Sequence, residues 1–504
     1  MHDGDDLTIA LPESVRATLA RLDDAGHDAA LVGGSVRDLV SGAPPQDWDV
    51  ATAAPPERVA ELFPGSGWTN RFGTVTVRVG DGPEVQVTTF RFEGPYLDHR
   101  RPVSVAWGRS LEEDLSRRDF TVNAIAWCPT DLSRGAGLLV DPHGGIDDLR
   151  HGVLRAVGDP EARFAEDALR MVRAARFAAR LGLEIDPATA DAIRRNAGAA
   201  AKLSGERVRD ELLRMLDAAD PARPPSVALE LLEQLGLLPV LLPELAALRG
   251  VPQAKALAGD ALDHSLRTAD ALPAGRPLLR LAGLLHDLGK ATTLADGHFF
   301  GHEVEGAQLA QAVAERLRLS RAESNWIVRL VRQHMFAYTP DWTDAAVRRF
   351  IRRVGVDLLD DLFALRLADN AASGVADPRA AGLEALRDRI DAVIAGSPLS
   401  QGQLAVDGRD LTAVLGIAPG PLVGELLRRL LEAVLDDPAL NRRELLLDLA
   451  RQWAAEVGAD AHRPAAGHRA GTGAGDGPAA TIGGPGAVPS RLRSPAHKEE
   501  PPPS

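Results

Sequence analysis

The stretch Leu31 to Thr52, LVGGSVRDLVSGAPPQDWDVAT, limits what can be built around it. A short apolar run breaks at Gly33-Gly34, presents Ser35, Arg37 and Asp38, and closes on Asp47-Trp48-Asp49-Val50 inside a second β-prone run. The pattern predicts a strand, a turn, a short helix and a strand. Two glycines let backbone N–H groups approach an anion with no side chain in the way. Arg37 supplies a fork of donors suited to phosphate oxygens. In a strand Asp47 and Asp49 point to one face. Two hard oxygen ligands on a rigid face suit a Mg²⁺ that also holds a triphosphate. Gly-Gly alone is a weak signal, and paired aspartates are usually solvated loop charges. Together, in this order, they favour nucleotidyl transfer.

The chain has 504 residues, enough for about three domains with cores of their own. Hydrophobic residues make up 45% and charged residues 25%, ordinary values for a soluble protein. No apolar run approaches the ~18 residues of a membrane span, so none is expected. The N-terminus MHDGDDLTIA is acidic and has no secretory apolar core. Cys128 is the only cysteine, which excludes an internal disulfide and fits a reducing cytoplasm. A net charge of −14 argues against indiscriminate nucleic-acid binding. A local basic surface, for which the arginines of 163–214 are the candidates, still permits an RNA substrate.

Residues 10–27 carry Leu11, Val15, Leu19 and Leu22 at helical spacing. Pro55-Pro56-Glu57 opens another helix, with Pro in its first turn. GTVTVRV (73–79) and EVQVTTF (84–90), separated by Gly80-Asp81-Gly82, predict a hairpin. A small mixed sheet carrying the metal site is the expected head. Residues 91–110 lack periodicity and read as a loop. LSRRDFTVNAIA (115–126) follows, and Asp141-Pro142-His143-Gly144-Gly145 marks the exit from the sheet.

GGSVRD, then DWD, then RRDFTVNA resemble the class II branch of the nucleotidyltransferase superfamily, which holds CCA-adding tRNA nucleotidyltransferases and bacterial poly(A) polymerases. The resemblance implies transfer from an NTP to an RNA 3′-hydroxyl with release of pyrophosphate. It implies catalytic, Mg²⁺-binding roles for Asp47 and Asp49, and nucleotide binding by Gly33, Gly34, Arg37 and Arg118, with Asp119 orienting Arg118. Family members place a third acidic residue where this chain has Gln86, with Glu84 two residues upstream; the third metal ligand stays open between them. The segment 91–110 resembles a loop needed for the final adenosine step.

EDALRMVRAARF (166–177) is the third strong motif. On a helix each three-residue step turns a side chain by ~60°, so Asp167, Arg170, Arg173 and Arg176 are expected to form a slanted ridge opposite Leu169 and Val172. A rigid carboxylate beside a guanidinium can accept from and donate to a base edge. Cytosine and adenine both carry an exocyclic amine for the carboxylate, whereas G and U present a carbonyl that it repels. The resemblance assigns this reading to Asp167 and Arg170, with Arg173 and Arg176 also on the nucleotide. ERVRDELLRML (206–216) resembles the next family motif, a bracing helix whose charges are expected to be structural.

Further on, His264, His286-Asp287, His302, His334 and Asp369 resemble the ligand set of an HD-type phosphohydrolase domain. Imidazole plus carboxylate suits Mn²⁺, Ni²⁺ or Zn²⁺ as a second metal. From Ala459 the chain is rich in Gly, Ala and Pro and ends in HKEEPPPS, a composition that cannot bury a core.

The expected architecture is an α+β nucleotidyltransferase head over 1–148, with a small mixed sheet and helices. An all-α neck and body (149–250), an all-α HD domain (251–395), a helical segment (396–457) and a disordered tail (458–504) follow. The expected activity is cytoplasmic, template-independent addition of CCA to tRNA from CTP and ATP, with no membrane and no obligate protein partner. Three rivals stand beside it: a poly(A) polymerase of the same branch, an HD phosphohydrolase with an idle head, and a non-catalytic RNA binder.

Overall fold

The computed structural model describes residues 5–68, 73–93, 105–107, 110–253, 255–375, 382–396 and 399–461. The head is one mixed sheet built from β1 (Asp6–Thr8), β2 (Ala29–Val32), β3 (Trp48–Thr52), β4 (Gly67–Trp68), β5 (Thr74–Val77), β6 (Val85–Thr89), β9 (Ala126–Asp131) and β10 (Ala136–Val140). Their order is β1-β10-β9-β2-β3-β6-β5-β4. Only β3 and β6 run parallel, in a register that sets Asp49 opposite Gln86. The hairpin read from alternation is β5–β6, with Thr74 opposite Thr88. A separate two-stranded ribbon pairs β7 (Arg91–Glu93) with β8 (Val105–Trp107). The segment 91–110, expected as a loop, is thus partly strand, and Ser110 caps α4 (Leu111–Ser116); its residues 94–104 and 108–109 lie outside the described residues.

Strand alternation gives the two faces of the sheet different tasks. Leu31, Val50, Val75, Val77, Val85 and Val87 face a core closed by Val15, Leu19 and Leu22 of α1 (Glu13–Asp24). The helix expected over 10–27 is thus shorter at both ends. The opposite face carries small residues, Ala30, Val32, Ala51 and Ala126, packed with Phe90 and Leu115. Those small side chains leave room for Asp49 and Gln86 to stand clear. α2 (Gly34–Val40), α3 (Pro56–Leu62) and α4 (Leu111–Ser116) connect the strands, and α5 (Gly145–His151) leads out of the head. Glu84 falls outside β6, which begins at Val85, and pairs with Arg78 at the surface. Of the two residues left open as a third ligand, Gln86 lines the cavity and Glu84 does not.

Beyond the head the chain is helical, apart from a short parallel pair, β11 (Val153–Leu154) with β12 (Glu184–Ile185). The neck holds α6 (Pro160–Glu166), α7 (Leu169–Leu181), α8 (Pro187–Asn196), α9 (Gly205–Leu216), α10 (Pro225–Gln234), α11 (Leu238–Leu241) and α12 (Pro243–Ala246). Next come α13 (Ala261–Ala271), α14 (Pro277–Leu285), α15 (Lys290–Thr293), α16 (His302–Arg316), α17 (Arg321–Gln333), α18 (Asp344–Val354), α19 (Leu359–Ala372) and α20 (Leu383–Gly396). One continuous apolar core joins this group to the neck. α21 (Gly408–Leu415), α22 (Pro421–Asp436) and α23 (Arg443–Ala461) close a small core of their own around Leu411, Leu430 and Leu446. α23 continues past 457, so the first residues expected in the tail are helical; 462–504 lie outside the described residues.

The 166–177 motif is not one helix. α6 ends at Glu166, Asp167 takes an extended conformation (φ −146°, ψ 104°), and α7 begins at Leu169. Asp167 Oδ1 accepts from the Leu169 backbone N at 3.0 Å, a capping contact. Aspartate competes with the helix ladder for backbone donors and favours such ends. The expected ridge of four charges is corrected accordingly: Arg170, Arg173 and Arg176 lie on α7, and Asp167 stands at the break before it.

Candidate active site

β2 ends at Val32, and Gly33, with a positive φ of 70°, turns the chain into α2. A Cβ there would stand 2.6 Å from Arg118 Nη1, so any other residue would push that guanidinium aside in addition to straining the backbone. Gly33, Gly34, Arg37, Asp47, Asp49, Gln86 and Arg118 line one cavity of about 770 Å³. Asp49 is the second residue of β3, and Asp47 immediately precedes the strand. Burial raises the Asp49 carboxyl above its ordinary value; Arg118 pulls it down, Asp47 pushes it up, and Arg37 pulls it down less. A cation between the two carboxylates removes that penalty, because it favours the ionised form.

Arg37 is buried and held on two sides. Nη2 donates to Asp38 Oδ1 at 2.7 Å and Nη1 to Asn123 Oδ1 at 2.7 Å. Arg118 donates to Asp114 Oδ2 at 3.1 Å and to the Asn123 carbonyl at 3.3 Å. Asp119, expected as the partner of Arg118, instead takes Arg173 Nη2 at 2.6 Å and Asn123 Nδ2 at 3.2 Å. The reason is geometric: α4 ends at Ser116, so Asp114 lies one turn behind Arg118, while Asp119 has turned toward the neck. Burial alone raises the Asp119 carboxyl, but the Arg173 charge and the hydrogen bonds from Arg173 and Asn123 hold it below its ordinary value.

The neck supplies the facing wall of the cavity with Asp167, Arg170, Arg173, Arg176, Phe177, Arg207 and Arg214. Arg170 Nη1 donates to Glu166 Oε2 at 2.6 Å, and Nη2 donates to the Arg117 carbonyl at 2.9 Å. It thereby ties the second motif to the third. Arg176 Nε donates to the buried Glu211 at 2.5 Å and stacks 4.1 Å above the Phe177 ring. Asp167 is held by Arg207, with Nη1 at 3.1 Å from Oδ1 and Nη2 at 2.7 Å from Oδ2.

The second constellation also assembles. His264, His286, Asp287, His302, His334 and Asp369 converge from α13, the end of α14, the start of α16, the end of α17, and α19. Asp287 Oδ2 lies 3.1 Å from His286 Nε2 and 3.5 Å from His264 Nε2. Its Oδ1 lies 3.4 Å from His302 Nε2 and 3.7 Å from His334 Nε2. His264 Nε2 is 3.1 Å from Asp369 Oδ1. The Nδ1 atoms of His286, His302 and His334 each lie 2.7 Å from a backbone carbonyl oxygen, of Gly283, Phe299 and Val331. These contacts suit Nδ1–H donors and leave the Nε2 lone pairs facing inward, as metal ligands require. Burial, and then the neighbouring His286, push His334 down to about 3, so its ring is neutral near pH 7. Two ammonium groups belong to the same cluster: Lys290 lies 2.5 Å from Asp287 and Lys255 3.3 Å from Asp369.

Three family models match in sequence: the Poly A polymerase head domain over 29–155, the probable RNA and SrmB-binding site of polymerase A over 182–248, and the HD domain over 261–373. An A-adding tRNA nucleotidyltransferase of Deinococcus radiodurans is 37% identical over 426 residues, 80% of this chain and 91% of that protein. The chain belongs to the tRNA nucleotidyltransferase family. A CCA-adding enzyme of Lactiplantibacillus plantarum is 32% identical over 88% of this chain and 96% of its own. The crystal structure of the Bacillus stearothermophilus CCA-adding enzyme in complex with CTP superposes with a TM-score of 0.63 at 30% identity, covering 89% of this chain and 98% of that one.

Nucleotidyltransferases of this family work with a divalent metal, and the donors present fit one. Asp47 and Asp49 offer hard oxygens to the cavity; in the separate HD cluster the buried His286 Nε2 has no hydrogen-bond partner among the described residues. Of the first motif, Gly33, Gly34, Arg37, Asp47 and Asp49 line the cavity, whereas Val36 packs into the head core, and the six HD candidates lie in one cluster. The helix read from ERVRDELLRML as a brace with structural charges also brings Arg207 and Arg214 to the cavity, and its Glu211 holds Arg176. The signal was present: Arg207, Glu211 and Arg214 follow each other at steps of four and three, one stripe of a helix.

Proposed function

We propose that this chain adds CMP, CMP and AMP in turn to the 3′ end of tRNA, from CTP and ATP, without a nucleic-acid template. The observation that carries the reading is one cavity, with paired carboxylates on the head wall and a carboxylate set among arginines on the neck wall. Asp47 and Asp49 would hold Mg²⁺, which when bound neutralises the triphosphate and activates the attacking hydroxyl. The Gly33-Gly34 backbone with Arg37 and Arg118 receives the phosphates. The tRNA 3′-oxygen bonds to the α-phosphorus, the α–β bridge breaks, and pyrophosphate leaves. Asp167 accepts from the exocyclic amine of C or A, with Arg170 as the companion donor and Arg173 and Arg176 along the same wall. The carbonyls of U and G meet a lone pair there and are rejected.

The domain assignment follows: the head over 1–148 for chemistry, the neck over 149–250 for base reading and tRNA, and an HD unit over 251–395. His264, His286, Asp287, His334 and Asp369 of the HD cluster would hold a second divalent metal, Mn²⁺, Ni²⁺ or Zn²⁺, and a metal-dependent phosphohydrolase activity fits these ligands. A tRNA substrate supports a cytoplasmic location. Poly(A) synthesis and an idle head fit less well, because relatives matched over nine-tenths of their length carry tRNA-end names. The Deinococcus relative's name favours one second reading, addition of the terminal A alone. The test is primer extension with Asp49→Ala: transfer of both C and A is lost while CTP still binds. Wild-type turnover in Asp49→Ala contradicts the assignment.

A further inference from the structure

We propose that Arg207, in the first turn of α9, is a specificity-determining positioning residue. It clamps Asp167 so that the carboxylate offers the incoming base one acceptor direction. The inference rests on the reading of Asp167 as the group that accepts the exocyclic amine.

Three contacts define the clamp. Asp167 Oδ1 accepts from Arg207 Nη1 at 3.1 Å and from the Leu169 backbone N at 3.0 Å, and Oδ2 accepts from Arg207 Nη2 at 2.7 Å. An ionised carboxylate offers about four lone-pair sites. Three are filled, and the one left belongs to Oδ2. A guanidinium fork fixes the plane of the carboxylate it holds, which a single ammonium donor does not. A free carboxylate can swing either oxygen away from a carbonyl. A clamped one keeps a filled lone pair in the path of U or G, and that is what rejection requires.

Arg207 can hold this position because α9 is itself held. The helix starts at Gly205, where a Cβ would stand 1.9 Å from the Arg316 carbonyl oxygen. Arg209 Nη1 donates to the Arg318 carbonyl at 2.9 Å, so the first turn is docked on the link between α16 and α17. At the other end Arg280 Nη1 donates to the Leu216 carbonyl at 2.8 Å. The Asp167–Arg207 pair is not a core element, since its side chains are 20% and 32% exposed and both residues line the cavity. Ion pairs that open to solvent add little to stability. The fork has more to contribute to selection than to the fold.

The experiment compares kcat/KM for CTP, UTP, ATP and GTP on truncated tRNA in wild type, Arg207→Ala, Arg207→Lys and Asp167→Ala, with thermal melts as the control for folding. The expected result is a fall of about tenfold in the C-over-U and A-over-G ratios in Arg207→Ala, within the range for one bidentate base contact, with kcat for CTP changed less. Arg207→Lys, which keeps the charge and loses the fork, should fall nearly as far. Unchanged ratios in Arg207→Ala, or an equal loss for all four nucleotides, overturn the proposal. So does a wild-type ratio in Arg207→Lys, because the fork would then be irrelevant. If Asp167→Ala itself keeps the preference for C and A, the base-reading role of Asp167 fails and the clamp fails with it. If Asp167→Ala loses the preference and Arg207→Ala retains it, only the clamp fails.

Discussion

Glu211 is the common partner of three arginines, and Glu211→Gln should loosen the junction of α7 and α9 by about 3 kcal/mol. The carboxylate is 2% exposed, with Arg176 at 2.5 Å, Arg214 at 3.1 Å and Arg173 at 3.7 Å. The three contacts are unequal. Arg214 is 60% exposed, so its pair contributes at most about 1 kcal/mol. Arg173 keeps Asp119 at 2.6 Å whatever happens to Glu211. Arg176 is the one left buried without its counter-charge, and removing one partner of a buried pair costs about 3–5 kcal/mol. The Phe177 face beneath Arg176 returns about 1 kcal/mol, which places the sum near the low end. Hydrogen exchange of the α7 and α9 amides in the full chain reads the local opening free energy directly. The double variant Glu211→Gln with Arg176→Met removes both charges and should recover about 2 kcal/mol relative to additivity. A loss under about 1 kcal/mol, or strict additivity, would refute the view that Arg176 depends on Glu211.

Other expectations are briefer. Gly33→Ala should depress nucleotide transfer and displace Arg118, since the new methyl meets its guanidinium at a positive φ; activity and melting equal to wild type would contradict this. Asp119 has its carboxyl held below the ordinary range, so its contribution is present above the unfolded value near 3.8 and disappears as pH falls below it. Acid titration of head–neck stability should therefore turn down below about pH 4, and Asp119→Asn should flatten that fall. His286→Ala with Asp287→Ala should empty the HD cluster of metal by elemental analysis while nucleotide addition continues; loss of both would show that the two centres are coupled.

Much of this site was legible because its chemistry is local. GGSVRD is the turn and short helix that link β2 to the paired β3, where Asp49 lies, so spacing alone brings Gly33, Arg37 and Asp49 together. The HD ligands were legible as residue types, although only packing of five helices could show Asp287 at their centre. What failed was the partner of each charge. Asp119 and Arg118 are adjacent in sequence, yet they serve different walls, because the chain turns between α4 and β9. Asp167 was read into a helix that its own side chain interrupts. Arg207, forty residues away, closes that contact only after α9 folds back beside α7. Helical periodicity says which charges share a face and nothing about which distant face they meet.

The measurement that tests the account most directly is extension of tRNA transcripts ending before CCA, after the first C and after both Cs, with the four nucleotides offered singly and together. The account predicts two C additions from CTP, one A from ATP only once both Cs are present, and no product from GTP or UTP. A long A tail from ATP alone, or growth only on the transcript that already ends in CC, would contradict it.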